Sequence, residues 1–114
     1  MPPRDWRIRF EDILDAIARI QSYTGGLTVD AFLTDQKTQD AVIRNLEIIG
    51  ECARLVDDET AARAADVPWQ DVRDMRNILV HEYFGVDLDI VWATVQTDLQ
   101  PLAESLRRAL NSSA

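Results

Sequence analysis

An all-α fold, an antiparallel four-helix bundle with one short extra helix or turn, is predicted by three features of this 114-residue sequence. Apolar residues recur at helical spacing in four long segments, Gly25-Gly26, Val67-Pro68 and Gly85 fall between those segments, and no stretch shows the alternation of a half-buried strand. The length suits one domain, residues 1–114, able to bury a core without disulfides or a structural metal.

The first helix is expected from Asp5 to about Thr24, where Ile8, Phe10, Ile13, Leu14, Ile17 and Ile20 share a face and Gly25-Gly26 ends the pattern. Leu27 to Thr34 reads as a single turn behind a Thr28 cap, leading to Asp35 as N-cap of the second helix. That helix is apolar around much of its circumference between Ala41 and Ala53, which suggests burial against more than one neighbour, one of which could be another subunit. Asp58 to Asp66, rich in alanine and acids, either extends it or forms a short helix of its own, and Val67-Pro68 is the break. The third helix is expected from Trp69 to Tyr83, stopped by Gly85. Asp87 or Asp89 caps the fourth, which runs to about Leu110 with Ile90, Val91, Val95, Leu99, Leu102 and Leu106 as its stripe. Pro101 removes the amide that would bond to the Thr97 carbonyl, so a kink is expected there.

The formal net charge of −8 argues against broad, nonspecific binding to nucleic acid, because clustered Lys and Arg supply most of that affinity. Any such contact must be local. The arginines fall into groups, Arg4, Arg7 and Arg9, then Arg73 and Arg76, then Arg107 and Arg108, and convergence of the first two would make a small positive pocket on an acidic body. A lone cysteine, Cys52, cannot form an internal bridge, and neither a signal peptide nor a run of roughly 20 apolar residues is recognisable, so a soluble, cytoplasmic protein is expected. One histidine and one distant cysteine do not make a metal site, and no serine or cysteine triad has a supporting motif; neither metal nor cofactor is expected.

The chemistry concentrates in the third helix, which carries the only histidine, His81, together with Arg76, Asn77 and Tyr83. Arginine presents a planar charged fork matched to phosphate oxygens, histidine moves protons near neutral pH, and tyrosine offers a reactive hydroxyl. At about 100° per residue, Val72, Met75, Ile78 and Leu79 share an arc of roughly 120°, while Arg73, Arg76, Asn77, Val80, His81 and Tyr83 fall within about 160° of one another on the other side. A purely structural account is also available: Arg73 and Arg76 would pair with Asp71, Asp74 or other carboxylates, with His81 and Tyr83 packing at the helix end.

Arg76, four intervening residues, then His81-Glu82-Tyr83 resembles the Arg-x4-His-x-Tyr signature of HEPN-domain proteins, and the chain is similar to the HepT-like toxins over nearly its whole length. The matching blocks are Thr38-Gln39-Asp40-Ala41-Val42 to Ile49-Gly50-Glu51, Pro68-Trp69, Met75-Arg76-Asn77 to Gly85-Val86-Asp87, and Val91-Trp92. One departure is Cys52, where the family usually has alanine. The resemblance implies a HEPN-like helical bundle acting as a homodimeric, metal-independent endoribonuclease, the toxin of a type VII-like toxin–antitoxin pair. Its antitoxin would be a minimal nucleotidyltransferase of the MNT type that transfers AMP to Tyr83, in a hetero-oligomer of unspecified size. Under this reading Arg76 and His81 are catalytic, Asn77 and Arg73 support the site, and RNA is the substrate. The competing reading is a noncatalytic helical dimer that binds, and is modified by, such a nucleotidyltransferase.

Overall fold

The computed structural model describes the backbone of residues 5–81 and 87–112, and their side chains apart from those at 77–81. Every regular element among them is helical: α1 (Trp6–Thr24), α2 (Val29–Leu33), α3 (Gln36–Arg54), α4 (Asp58–Ala61) continued by a 3-10 turn at Ala62–Ala64, α5 (Trp69–His81), α6 (Leu88–Thr97) and α7 (Leu99–Ser112).

The helix starts are set by short polar side chains that take up orphan amides. Asp5 accepts from the Arg7 amide, Thr28 from that of Ala31, Asp35 from that of Thr38, Asp57 from that of Thr60, and Asp87 from those of Asp89 and Ile90. The caps expected at Thr28 and Asp35 are therefore present, and of the two candidates for the fourth segment Asp87 is the one used. At the other end of α1 the Gly25 amide closes on the Gln21 carbonyl at 2.8 Å, and Gly26 turns the chain at φ 79°, a backbone region costly for residues with a Cβ. The stop expected at Gly85 lies outside the described residues.

α3 is the centre of the bundle, packed against α1 on one side and α5 on the other, while α7 returns along α1 and α6 leans on α7. Phe10, Ile13, Ile17 and Ile20 of α1 meet Val42, Leu46, Ile49 and Ala53 of α3, all essentially buried, and Leu99, Leu102 and Leu106 of α7 close the far side. Truncating one of these large side chains would cost about 2–5 kcal/mol from lost transfer energy and the cavity left behind. The one polar group deep in this seam is Asn45, whose amide donates to the Ala41 carbonyl at 2.9 Å and whose oxygen accepts from Arg19 Nε at 2.7 Å.

An aromatic stack fixes where α5 begins. Trp69 lies over Phe10 with ring centroids 5.7 Å apart, Phe10 meets the edge of Trp6 at 5.3 Å, and Trp69 Nε1 donates to the carbonyls of Ala61 and Ala64. The acidic, alanine-rich stretch before Pro68 thus forms a short helix and turn whose Ala61 and Ala64 carbonyls anchor the first residue of α5.

Pro101 corrects an expectation. In place of one kinked helix to about Leu110, the chain breaks at Asp98 into α6 and α7, and Pro101 is the third residue of the new helix. There the missing amide is one of the orphan donors of a first turn, so the proline costs no interior hydrogen bond. The expected stripe survives the break, with Val91, Val95, Leu99, Leu102 and Leu106 buried, although Ile90 is exposed.

Candidate functional site

The side of α5 that faces α3 comes unusually close because position 50 has no side chain. A Cβ built on Gly50 would stand 2.9 Å from Arg76 Cβ and 3.0 Å from the Arg76 amide nitrogen. Gly50 is the gap through which the backbone at Arg76 passes. The next residue, Glu51, reaches Arg76 with a carboxylate oxygen that pairs with Nε, and the same oxygen lies 3.6 Å from a terminal nitrogen of Arg54. One carboxylate therefore bridges two guanidinium groups from two helices.

Arg73 is committed elsewhere. Its Nε donates to the Ala53 carbonyl and a terminal nitrogen donates to the Val56 carbonyl, both at 3.1 Å, so it ties α5 to the C-terminus of α3, where a cation also complements the helix dipole. Gln70 donates to Asp74 Oδ1 at 2.9 Å one turn along. Arg54, Gln70, Arg73, Asp74 and Arg76 together line a surface cavity of about 380 Å³.

Of the residues the sequence singles out, Arg73 and Arg76 are thus brought together on one cavity wall. Asn77 and His81 lie on the backbone of the same helix, four and eight residues beyond Arg73, and His81 is its last described residue. Four-residue steps keep positions 73, 77 and 81 on one slowly drifting strip of a helix. Tyr83 falls outside the described residues. Within the expected core stripe Val72 is buried and Met75 partly so. Of the amino-terminal arginines, Arg4 lies outside the described residues, and neither Arg7 nor Arg9 is in the lining; Arg7 and Arg63 lie over the Trp6 ring at 4.6 and 4.4 Å.

Glu51, Arg54 and Gln70 were not among the candidates read from the sequence. The usable signal was Gly50 in the middle of an apolar helix, since an interior glycine marks a close approach of backbones, and a charged residue beside such a point faces the element that approaches.

On the far flank of α5 a second cavity of about 500 Å³ is bordered by α5, α6 and α7, with Val67, Val72, Met75 and Leu102 as apolar lining and Asp66, Asp71, Asp74 and Asp98 as acidic lining. Asp66 there accepts from Ser105 Oγ and from Arg108, both at 2.6 Å. The hydroxyl bond from Ser105, with the guanidinium of Arg108 adding to it, holds the Asp66 carboxyl below its ordinary value.

Comparison with known proteins converges on one description. The sequence model of the HepT-like family, described as "Ribonuclease HepT-like", matches residues 13–109. The chain is 42% identical over 101 residues to a Thermococcus cleftensis protein named "Probable ribonuclease HepT", covering 86% of this chain and 92% of that one. It is 38% identical over 107 residues to a Methanocaldococcus jannaschii protein named "Gamma-glutamylcyclotransferase and putative RNase". That alignment takes in 94% of this chain but spans only about half, 48%, of the larger relative. No solved structure gives a significant match. No described helix is long and apolar enough to cross a membrane.

Proposed function

This chain belongs to the HepT-like ribonuclease family, and on that basis we propose that it is a metal-independent endoribonuclease, the toxin of a HEPN/MNT toxin–antitoxin pair. The observation that carries the reading is the placement of Arg76: the backbone gap at Gly50 and the Glu51 carboxylate hold its guanidinium at the lip of a cationic cavity, on the helix that runs on to His81.

Metal-free cleavage of RNA begins when a base removes the proton of the 2′-hydroxyl. The 2′-oxygen then bonds to phosphorus, the phosphorus–5′-oxygen bond breaks, and the departing 5′-oxygen takes a proton from an acid. The charge that builds on the phosphorane needs a fixed cation. Arg76 supplies that cation and His81 moves the protons. One chain has one histidine, so base and acid come from two copies: His81 of one subunit and His81 of the partner subunit, facing each other across a two-fold axis. Asn77 orients the scissile phosphate or His81, and Arg73 supports the site by tying α5 to α3.

The antitoxin in this reading is a minimal nucleotidyltransferase that transfers AMP from ATP to the Tyr83 hydroxyl, forming a phosphodiester and releasing pyrophosphate. The adduct brings bulk and negative charge to a cleft that must accept RNA phosphate. The test is cleavage of RNA by purified, unmodified protein beside its His81→Ala and Arg76→Ala variants. Each substitution should lower the rate by a factor on the order of 10² or more, and unchanged cleavage would remove the catalytic assignment. Light scattering should give a dimer, and a monomer at working concentration would sink the shared site. Intact-mass measurement after incubation with the partner, Mg²⁺ and ATP should show AMP addition that Tyr83→Phe abolishes; addition persisting in that variant would move the acceptor elsewhere.

A further inference from the structure

The cavity beside Arg76 reaches beyond the motif that names the family. Its α3 wall is Arg54, and the space between Arg54 and Arg76 is bridged by one oxygen of Glu51. An anionic oxygen gripped by two guanidinium groups is the arrangement that a phosphate oxygen would take in the same place. The three side chains are 53% (Arg54), 48% (Glu51) and 37% (Arg76) exposed, so these ion pairs are solvent-screened, contribute little to folding and exchange readily for a better anion.

We infer that this groove is a phosphate subsite for the RNA strand, in which Arg54 and the Nε edge of Arg76 take a backbone phosphate flanking the scissile one and displace Glu51. The inference rests on the ribonuclease reading for the identity of the strand. Arginine has five donors in a fixed fork, so using one edge at the flanking phosphate leaves others for the scissile phosphate. From Arg76, whose Nε edge takes the flanking phosphate, to His81, the last described residue of α5, is five residues, about 7.5 Å of helix, which is more than one phosphate group spans. A polyanion that follows α5 meets both, which a free mononucleotide cannot do. Asp74, held by Gln70, sits on the rim and limits how much negative charge the groove accepts, in keeping with a single phosphate rather than a di- or triphosphate. Glu51 acts as the resident anion: it keeps two like charges in place while the groove is empty, and sets a threshold that RNA must exceed.

Binding of a fluorescently labelled single-stranded RNA oligonucleotide, followed by anisotropy in a His81→Ala background over about 50–300 mM salt, tests this without cleavage. Arg54→Gln should weaken binding on the order of fivefold and reduce the slope of log affinity against log salt by about 0.7, the value for one single-strand phosphate contact. Arg54→Lys, which keeps the charge, should restore the slope. Glu51→Gln should tighten binding on the order of two- to fivefold, because the RNA no longer competes with a carboxylate. Arg44→Gln, which removes an equal charge from the exposed side of α3, should change neither measure. With His81 intact, Arg54→Gln should raise KM and leave kcat within about twofold, the pattern of a contact made equally in ground and transition states. If the parent protein cuts RNA and Arg54→Gln binds with unchanged affinity and slope, the subsite is wrong and the ribonuclease reading stands. If the slope falls as stated but the parent cuts no RNA, the ribonuclease reading fails and the groove remains an RNA-binding one. Weaker binding in Glu51→Gln would overturn the resident-anion role, and a parent that neither binds nor cuts RNA overturns both.

Discussion

Gly50→Ala sets two well-characterised effects against each other at the contact on which the site depends. In an ordinary helix interior, alanine in place of glycine stabilises by about 0.5–1 kcal/mol, through backbone entropy. Here the new methyl would sit 2.9 Å from Arg76 Cβ and 3.0 Å from its amide nitrogen, so α3 and α5 must part by about half an ångström before the contact becomes an ordinary one. The opposing atoms are backbone and Cβ, which cannot swing aside as a long side-chain end would. Overpacking of this kind costs about 1–3 kcal/mol, leaving a net loss of about 1 kcal/mol and a fall in Tm of about 4 °C for a domain of this size. The functional effect should be larger, because the parting moves Arg76 away from Glu51 and shifts the helix that carries His81. Sub-ångström displacements of reacting groups cost on the order of tenfold in rate. Urea denaturation and RNA cleavage measured on the same preparation check both numbers. A variant that is more stable than the parent by the full helix-propensity gain, with undiminished cleavage, would refute the close approach and with it the positioning of α5.

Three further outcomes follow from named contacts. Arg73→Met should lower stability by about 1–3 kcal/mol, because two carbonyls at the end of α3 lose a charged donor, and a urea midpoint equal to the parent's would show that the bonds to Ala53 and Val56 contribute nothing. Asn45→Ala should cost about 1–3 kcal/mol by leaving Arg19 without its acceptor and a void between α1 and α3, measured by the same denaturation. The Asp35 carboxyl is held below its ordinary value by the Thr38 hydroxyl and then by the Thr38 amide, so its contribution is complete above the ordinary carboxylate range and is lost as pH falls through the lowered one. Stability of the parent should therefore fall more steeply below about pH 4 than that of Asp35→Asn, and parallel curves would remove the cap from the acid response.

The parts of the fold that were legible in the sequence are those decided within one turn of helix. Thr28, Asp35 and Asp87 each cap by bonding to an amide two or three residues on, and Gly25-Gly26 ends α1 through its own backbone, so local chemistry is enough. Pro101 was harder, because the sequence shows that an amide is missing but not whether the lost bond belongs to a helix interior or to a first turn. The answer depended on the break at Asp98, where the Asp98 amide still bonds to the Thr94 carbonyl and the Leu102 amide restarts the ladder on the Asp98 carbonyl. The site divides in the same way. Helical projection places Arg73 and Arg76 on one wall, yet it cannot tell that Arg73 donates to carbonyls at and just beyond the end of α3 while Arg76 meets a carboxylate, since both facts belong to the neighbouring segment.

That neighbour also bears on how an acidic chain would present the proposed phosphate site. With a formal net charge of −8, a strand of RNA gains nothing from the molecule as a whole, so affinity has to come from cations packed more tightly than their mutual repulsion would allow unaided. Two structural devices achieve that here. The backbone carbonyls at the end of α3 take up Arg73, and the Glu51 oxygen takes up Arg54 and Arg76 together, so three guanidinium groups share one small cavity. The first device is permanent, because removing Arg73 would take the charged donor from the Ala53 and Val56 carbonyls. The second is exchangeable, because an exposed carboxylate and an incoming phosphate offer the guanidinium groups the same kind of acceptor. The division separates the arginine that builds the site from the two left able to respond to a ligand, a distinction that the linear spacing of Arg73 and Arg76 cannot express.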